Sequence, residues 1–258
     1  VDPNDIVTWD DYVEAGKQVV EKTGKPMTTV ETQDVFVYWS MLTQLKADFF
    51  DTDGNVTIDS PEGIKVLQFL HDLVHVHKIA EVAPGGLHHA EEYYGFMNDG
   101  GAASVLMPMW YMGRFIDYMP DLEGKMKIFP MPAWEEGGYR SAGMGGTGTS
   151  VTNQTEHPDL AKEFLAYTKA SAEGNIQIWK VLGFDPPRWD VWDSAEMKED
   201  NKYYQYFGDD IFDVLTDIRE EIHPVNITEN TPEMHQQINS ELLFNVLNEA
   251  SQTPEEAL

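Results

Sequence analysis

Three short stretches of the chain carry residue types at spacings that chemistry can use. "HDLVH" (71–75) sets His71 and His75 four residues apart, so on a helix both share one face and could reach one zinc ion. Its second residue, Asp72, is a methylene shorter than the Glu that reaches a zinc-bound water in the H-E-x-x-H pattern. His77, His88 and His89 strengthen the zinc reading little. "DTDGNVTIDSPE" (51–62) places acids or amides at positions 1, 3, 5, 9 and 12, as an EF-hand does, but its glycine stands fourth instead of sixth, where a calcium loop must turn sharply. A plain turn around Asp53-Gly54 accounts for the same residues. "GMGGTG" (143–148) reads G-x-G-x-x-G, the glycine spacing of a dinucleotide-binding turn.

Context decides the third stretch. A dinucleotide turn needs a helix that starts directly on the glycines, because that helix end holds the pyrophosphate. Here "TSVTNQ" follows, with small and β-branched residues alternating as in a strand, and a helix signal waits until His157-Pro158. What is left is a glycine-rich crossing with free backbone angles. No G-x-S-x-G elbow and no phosphate loop occurs. The 45 acids guarantee chance carboxylate pairs of the glycosidase kind, yet no spacing singles one out. On the residues alone, the enzyme readings are a zinc hydrolase through His71 and His75 or a glycosidase through an acid pair. The competing class is a binding module.

The elements that must position such groups follow from caps and periodicity. Thr8 with Asp11 three residues later starts a helix to about Glu21, with Tyr12, Val13, Val19 and Val20 as its apolar face. "FVYWSMLTQL" (36–45) reads as a buried helix. Ser60-Pro61 opens another, with Ile64, Leu67, Leu70 and Val74 along one side. "AASVLM" (102–107), "MKIFPM" (126–131) and "GTSVTN" (148–153) read as strands. A helix from Pro158 is expected to bury Leu160, Phe164 and Leu165. Further helices are expected over Asp209–Arg219 and from Thr231-Pro232 through Leu247. Alternating strands and helices predict an α/β fold.

Composition narrows the partners. With 17 basic and 45 acidic residues the net charge is −28, which excludes the clustered cations of nucleic-acid binding and disfavours anionic membrane surfaces. Such acidity suits a saline or alkaline habitat. Without cysteine there is no disulfide, Cys-ligated zinc or thiol catalysis. No apolar run approaches membrane-spanning length, and no signal peptide stands at Val1, so the chain reads as a mature or excised piece. Aromatics make up 12%. Trp110 and Tyr111 in "MPMWYMGRF" (107–115) follow an expected strand end, bracketed by Pro108 and Gly113. There an indole face can stack on the C–H face of a sugar.

"TWDDYVEAGKQV", "SPEGIKVLQFLHDLV", "FMNDGGAASVLMPMW" and "GGTGTSVTNQTEHPDLAKEFLAYT", in this order, resemble the extracellular solute-binding proteins of bacterial ABC sugar importers. The similarity is greatest to the maltose-, arabinose- and multiple-sugar-binding group. The resemblance implies a periplasmic-binding-protein-like fold of type II, two α/β lobes joined by hinge strands around a sugar. It begins where such chains have crossed into the second lobe, so this chain is expected to be mainly that C-terminal lobe. The implied division is 1–142 for its first part, 143–190 for the hinge crossing with a segment of the first lobe, and 191–258 for the return.

Carried over by position, Trp110 falls on the family's sugar-stacking aromatic, with Tyr111 beside it. Gly145, Gly146 and Thr147 fall on the hinge crossing, where backbone amides approach the ligand. Tyr38 and Trp39 fall on a cleft-lining aromatic position. Glu233 and His235 lie in "NITENTPEMHQQ" (226–237), before the long C-terminal helix, and Arg188 follows the "LGFDPP" turn. The implied function is non-catalytic capture of a sugar or oligosaccharide by lobe closure, and its delivery to an ABC importer permease. The protein is then an extracytoplasmic monomer, either a cell-surface lipoprotein or periplasmic, with no cofactor and no metal.

Overall fold

The computed structural model describes residues 1–144, 146–208 and 210–258. In chain order the main elements are α1 (Trp9–Thr23), β1 (Thr28–Val30), α2 (Phe36–Gln44), α3 (Pro61–His75), β2 (Ala80–Val82), α4 (Glu91–Asn98), α5 (Met112–Tyr118) and α6 (Pro158–Leu165). They continue with α7 (Ala172–Gln177), α8 (Lys202–Phe207), α9 (Ile211–Ile218), α10 (Thr231–Gln237) and α11 (Pro254–Ala257).

Local chemistry sets the helix ends. Thr8 and Asp11 form a reciprocal capping box on α1: the Asp11 N–H donates to Thr8 Oγ1 at 3.2 Å and the Thr8 N–H to Asp11 Oδ2 at 2.8 Å. Gly24, left-handed at φ 68°, closes the other end. Ser60 Oγ caps α3 by accepting the Gly63 N–H, with Pro61 in its first turn. Between them Asp51 Oδ1 accepts the N–H groups of Asp53 and Asn55 at 2.9 and 2.8 Å, and Gly54 takes φ 83°. The EF-hand-like stretch is therefore a carboxylate-closed turn between Phe50 and Val56, which pair as an antiparallel bridge.

Two compact units partition the chain. The first comprises Val1–Met107, Phe129–Gly145 and Ile218–Leu258, the second Pro108–Ile128 and Gly146–Asp217. These breaks differ from those expected at 142/143 and 190/191. Pro108–Ile128, which carries Trp110, groups with the 146–217 segment.

In the first unit β1 and β2 pair in parallel, Thr28 opposite Ala80 and Val30 opposite Val82, with α2 and α3 in the crossover. Trp9, Met41, Leu42, Val66, Leu67 and Leu70 are among its buried core residues, joined by Ile238, Val246 and Leu247 from the C-terminal segment. The α3 stripe is Val66, Leu67, Leu70 and Leu73, while Ile64 and Val74 are half-buried. The second unit has an aromatic core. Trp179 and Trp192 both pack edge-on against Phe212, at 4.9 and 5.3 Å, and Phe115 against Phe207 at 5.6 Å.

Four expectations need correction. Residues 102–107, 126–131 and 148–153 belong to no ladder among the described residues. A strand exists only beside a partner, and among the described residues only the N–H groups of Ala103 and Ser104 in 102–107 reach neighbouring backbone, at Pro26 and Met27. The paired strands are instead two three-residue segments too short to stand out in sequence. The fourth is the expected burial on α6. Leu160 and Phe164 are each 64% exposed and Leu165 is half-buried. Helix α9 begins at Ile211; the expected start at Asp209 lies outside the described residues.

Candidate functional site

In the second unit, Pro108 leads into a tight helical turn, Met109–Tyr111, that runs straight into α5. That turn holds Trp110 half-buried, its indole edge-on to the Tyr111 ring at 5.8 Å. Tyr111 is 1% exposed and packs edge-on against Phe115 at 5.6 Å. This corrects the expectation for Tyr111: it backs Trp110 from the core and does not itself present a surface. Gly146 and Thr147 are exposed, and no helix starts there; α6 begins at Pro158. No helix end therefore stands on the glycines to cradle a pyrophosphate. Gly145 lies outside the described residues.

The Arg188 guanidinium is engaged within its own loop. Nε donates to Asp190 Oδ1 at 2.9 Å, Nη2 to Asp190 Oδ2, and Nη1 to the Ala170 carbonyl at 2.8 Å. Its backbone N–H donates to the buried Asn175 Oδ1, so Arg188 ties the 183–190 loop to the start of α7.

In the first unit, Tyr38 and Trp39 are 1% and 3% exposed, which corrects their expected place on a cleft wall. Both sit on α2, an apolar helix nearly all of whose residues are buried. Tyr38 donates its hydroxyl to the Gly63 carbonyl at 3.2 Å, and burial pushes its pKa above the ordinary tyrosine value. Trp39 stacks on Phe49 at 5.6 Å and meets the His235 ring edge-on at 4.9 Å. Burial holds the His235 imidazole pKa below its ordinary value, with Asp48 opposing that shift. Its Nε2 is shielded from solvent without a hydrogen-bond partner. Glu233, two residues earlier on α10, is exposed and accepts from Gln237 Nε2 at 3.0 Å.

Two groups escape sequence reading. Asp48, 5% exposed, accepts three N–H donors: Trp39 Nε1 and the Phe49 N–H on Oδ1, and the Asn226 N–H on Oδ2. The other is Glu31 with His88, on the loops after β1 and β2. The His88 N–H donates to Glu31 Oε1 at 2.8 Å; His88 Nε2 lies 2.8 Å from Thr29 Oγ1, itself 3.0 Å from the Tyr93 hydroxyl. His88 Nδ1 comes within ion-pair distance of Glu31 Oε1 at 3.8 Å, but burial pushes the Glu31 carboxyl up to about 8 and His88 down to about 3. Both partners are therefore neutral near pH 6, a hydrogen-bonded pair and not a salt bridge. The signal for both was a lone acid next to apolar or threonine-rich residues.

The zinc reading loses its geometry. On α3 the His71 and His75 rings lie 4.7 Å apart, but His75 Nε2 is bonded to the Leu247 carbonyl at 2.9 Å and His71 Nδ1 faces Asp72 Oδ1 at 3.0 Å. Among the described residues no three His, Asp or Glu side chains are grouped to hold a metal. No helix among them is long and apolar enough to cross a membrane.

The family model for bacterial extracellular solute-binding proteins matches residues 3–174. The chain belongs to that family. It is 60% identical over all its residues to an arabinooligosaccharide-binding protein of Halalkalibacterium halodurans, and 55% to one of Bacillus subtilis. It spans 58% and 60% of the length of these relatives. The ABC-transporter-associated binding protein of B. animalis subsp. lactis, solved with β-1,6-galactobiose, superposes with a TM-score of 0.79 at 21% identity, over all of this chain and 64% of that one. The fold is thus the α/β periplasmic-binding-protein type, represented by about three fifths of its length.

Proposed function

We propose that the protein to which this chain belongs captures an oligosaccharide outside the cytoplasm and delivers it to an ABC importer without chemically altering it. The observation that carries this reading is 60% identity, unbroken across the chain, to an arabinooligosaccharide-binding protein. Arabinooligosaccharides are the first ligands to test. The family supports an extracytoplasmic location, and a lipid-anchored or periplasmic form would follow from how the protein is tethered. Trp110 supplies the stacking surface, with Tyr111 as its backing. Gly145, Gly146 and Thr147 are the hinge crossing, at the point where the chain passes from one compact unit to the other. Glu233 and His235 contribute polar contacts from α10, with Trp39 positioning the His235 ring, and Arg188 holds its loop in place.

The test uses a chimera in which this chain replaces the matched region of the Halalkalibacterium relative. Calorimetry should show binding of arabinooligosaccharides, and chromatography should recover them intact after incubation with or without a chelator. Hydrolysis lost on chelation would support the zinc hydrolase instead, and hydrolysis unaffected by it the glycosidase.

A further inference from the structure

Helix α5 and the turn before it sort their residues into two stripes. Tyr111, Met112, Phe115 and Met119 are buried. Trp110, Gly113, Arg114 and Asp117, spaced i, i+3, i+4 and i+7, make up the other side, the first three half-buried and Asp117 exposed. Side chains on a helix lean toward its N-terminus, so Arg114 covers the turn that carries Trp110 and Gly113. Gly113 leaves that turn bare: a Cβ there would meet nothing within 4 Å. An indole and a guanidinium thus flank an open patch of backbone.

The Arg114 guanidinium stands apart from the chain's other cations. Its Nε is shielded from solvent without a hydrogen-bond partner, and among the described residues no carboxylate pairs with it. Asp117, three residues on and within pairing reach along a helix, does not engage it. The other cations are paired with carboxylates, bonded to backbone carbonyls or set over aromatic rings. Those that are none of these, Lys22, Lys78, Lys125 and Lys169, are exposed to water. In a chain with 45 acids and 17 bases, a half-buried cation without an acid beside it needs another partner, because its lost hydration is not otherwise replaced.

We propose that Arg114 is a specificity-determining residue, donating to two neighbouring hydroxyls of the sugar ring stacked on Trp110; this rests on the reading of Trp110 as the stacking surface. An indole face meets only the apolar face of a ring and accepts many sugars. A planar guanidinium fork rewards one placement of hydroxyls and rejects a ring that lacks one, since its donors are then left unmet. Gly113 leaves room for a ring between the two side chains. Neutral hydroxyls are favoured over a ligand carboxylate, which would approach against a net charge of −28.

Calorimetry with arabinotriose on the same chimera tests it, in unmodified, Arg114→Met, Arg114→Lys and Trp110→Ala forms. Arg114→Met keeps the stem and removes the fork, so it should weaken binding at least about tenfold while the melting temperature stays within about two degrees. Arg114→Lys keeps the charge without the fork and should recover only part of that loss. Among deoxy analogues of arabinotriose, one should bind the unmodified chimera about tenfold more weakly than arabinotriose does, yet bind Arg114→Met as arabinotriose does. Unchanged affinity in Arg114→Met beside a weakened Trp110→Ala overturns the proposal and leaves the stacking surface standing. Unchanged affinity in both overturns the two together. Full recovery by lysine, or an affinity loss that tracks a fall in melting temperature, overturns it as well. So does a glucuronate-bearing oligosaccharide that binds more than about tenfold tighter than arabinotriose only while Arg114 is present, which would make a carboxylate the partner.

Discussion

The indole Nε1 of Trp39 donates to Oδ1 of Asp48 at 2.7 Å, while Oδ2 of the same carboxylate accepts the Asn226 N–H at 2.6 Å. One buried acid thus joins α2 to the segment before α10, across the 178 positions between Asp48 and Asn226. Asp48→Ala should cost about 3 kcal/mol, because three N–H groups lose their acceptor in a place water does not reach. Asp48→Asn should cost less but not nothing, since its amide NH₂ would face a donor, at Asn226 or at Trp39 and Phe49. Urea unfolding followed by tryptophan fluorescence measures both. Equal stability of Asp48→Ala and the unmodified chain would refute the joint.

Within the glycine run, Gly143 and Gly146 should respond to a very different extent. A Cβ on Gly143 would sit 1.9 Å from the His223 carbonyl oxygen, whereas one on Gly146 meets nothing within 4 Å. Gly143→Ala is expected to destabilise by more than about 2 kcal/mol, and Gly146→Ala by less than about 0.5 kcal/mol. Thermal unfolding of the two variants side by side checks this. Gly143 is a packing glycine. In the chimera, the bulkier Gly146→Val should impair ligand-driven closure more than folding, read as weaker sugar binding at a nearly unchanged melting temperature.

Glu31 and His88 make stability depend on pH in a defined window. The Glu31 pKa is raised from 4.5 to about 8, so its contribution is complete below 4.5 and is lost as pH rises toward 8. The nearby Asp34 charge acts in the same direction. The His88 pKa is lowered from 6.5 to about 3, so its contribution is complete above 6.5 and is lost as pH falls toward 3. Between 4.5 and 6.5 the two trends cancel. From 6.5 to about 8 Glu31 alone, and from 4.5 down to about 3 His88 alone, lowers stability by about 1.4 kcal/mol per pH unit. Glu31→Gln should flatten the decline between pH 6.5 and 8 and extend the acid limb upward to 6.5, because the cancelling trend is gone. Denaturant midpoints across pH 4 to 9 test it, and an undiminished alkaline decline in the variant would count against the buried acid.

Trp110→Ala in the chimera should weaken oligosaccharide binding by about 1–3 kcal/mol, through lost stacking and burial. The half-buried indole is not part of the aromatic core, so the melting temperature should change much less than for a core residue such as Trp179, which is 0% exposed. Calorimetry on the unmodified and substituted chimeras gives the comparison, and unchanged affinity would remove Trp110 from the site.

Much of the local structure was legible because its causes are local. The Thr8–Asp11 capping box, the Ser60-Pro61 helix start and the Asp51 turn each depend on residues within a few positions of one another. The helix that starts at Pro158, and not on the glycines, was readable for the same reason. The family too was legible, in four segments in order. What sequence could not supply was partnership at a distance. Whether an extended run becomes a strand depends on backbone groups beside it, and 102–107 finds only two such bonds. Tyr38, Trp39 and Tyr111 have the chemistry of a sugar platform, yet the packing of α2 and α5 turned all three inward. Leu160 and Phe164 have the pattern of core residues and face outward, because a stripe can be buried only by a surface that meets it. Asp48 and Glu31 read as two acids among 45; only the fold enclosed them, gave one three donors and kept the other protonated.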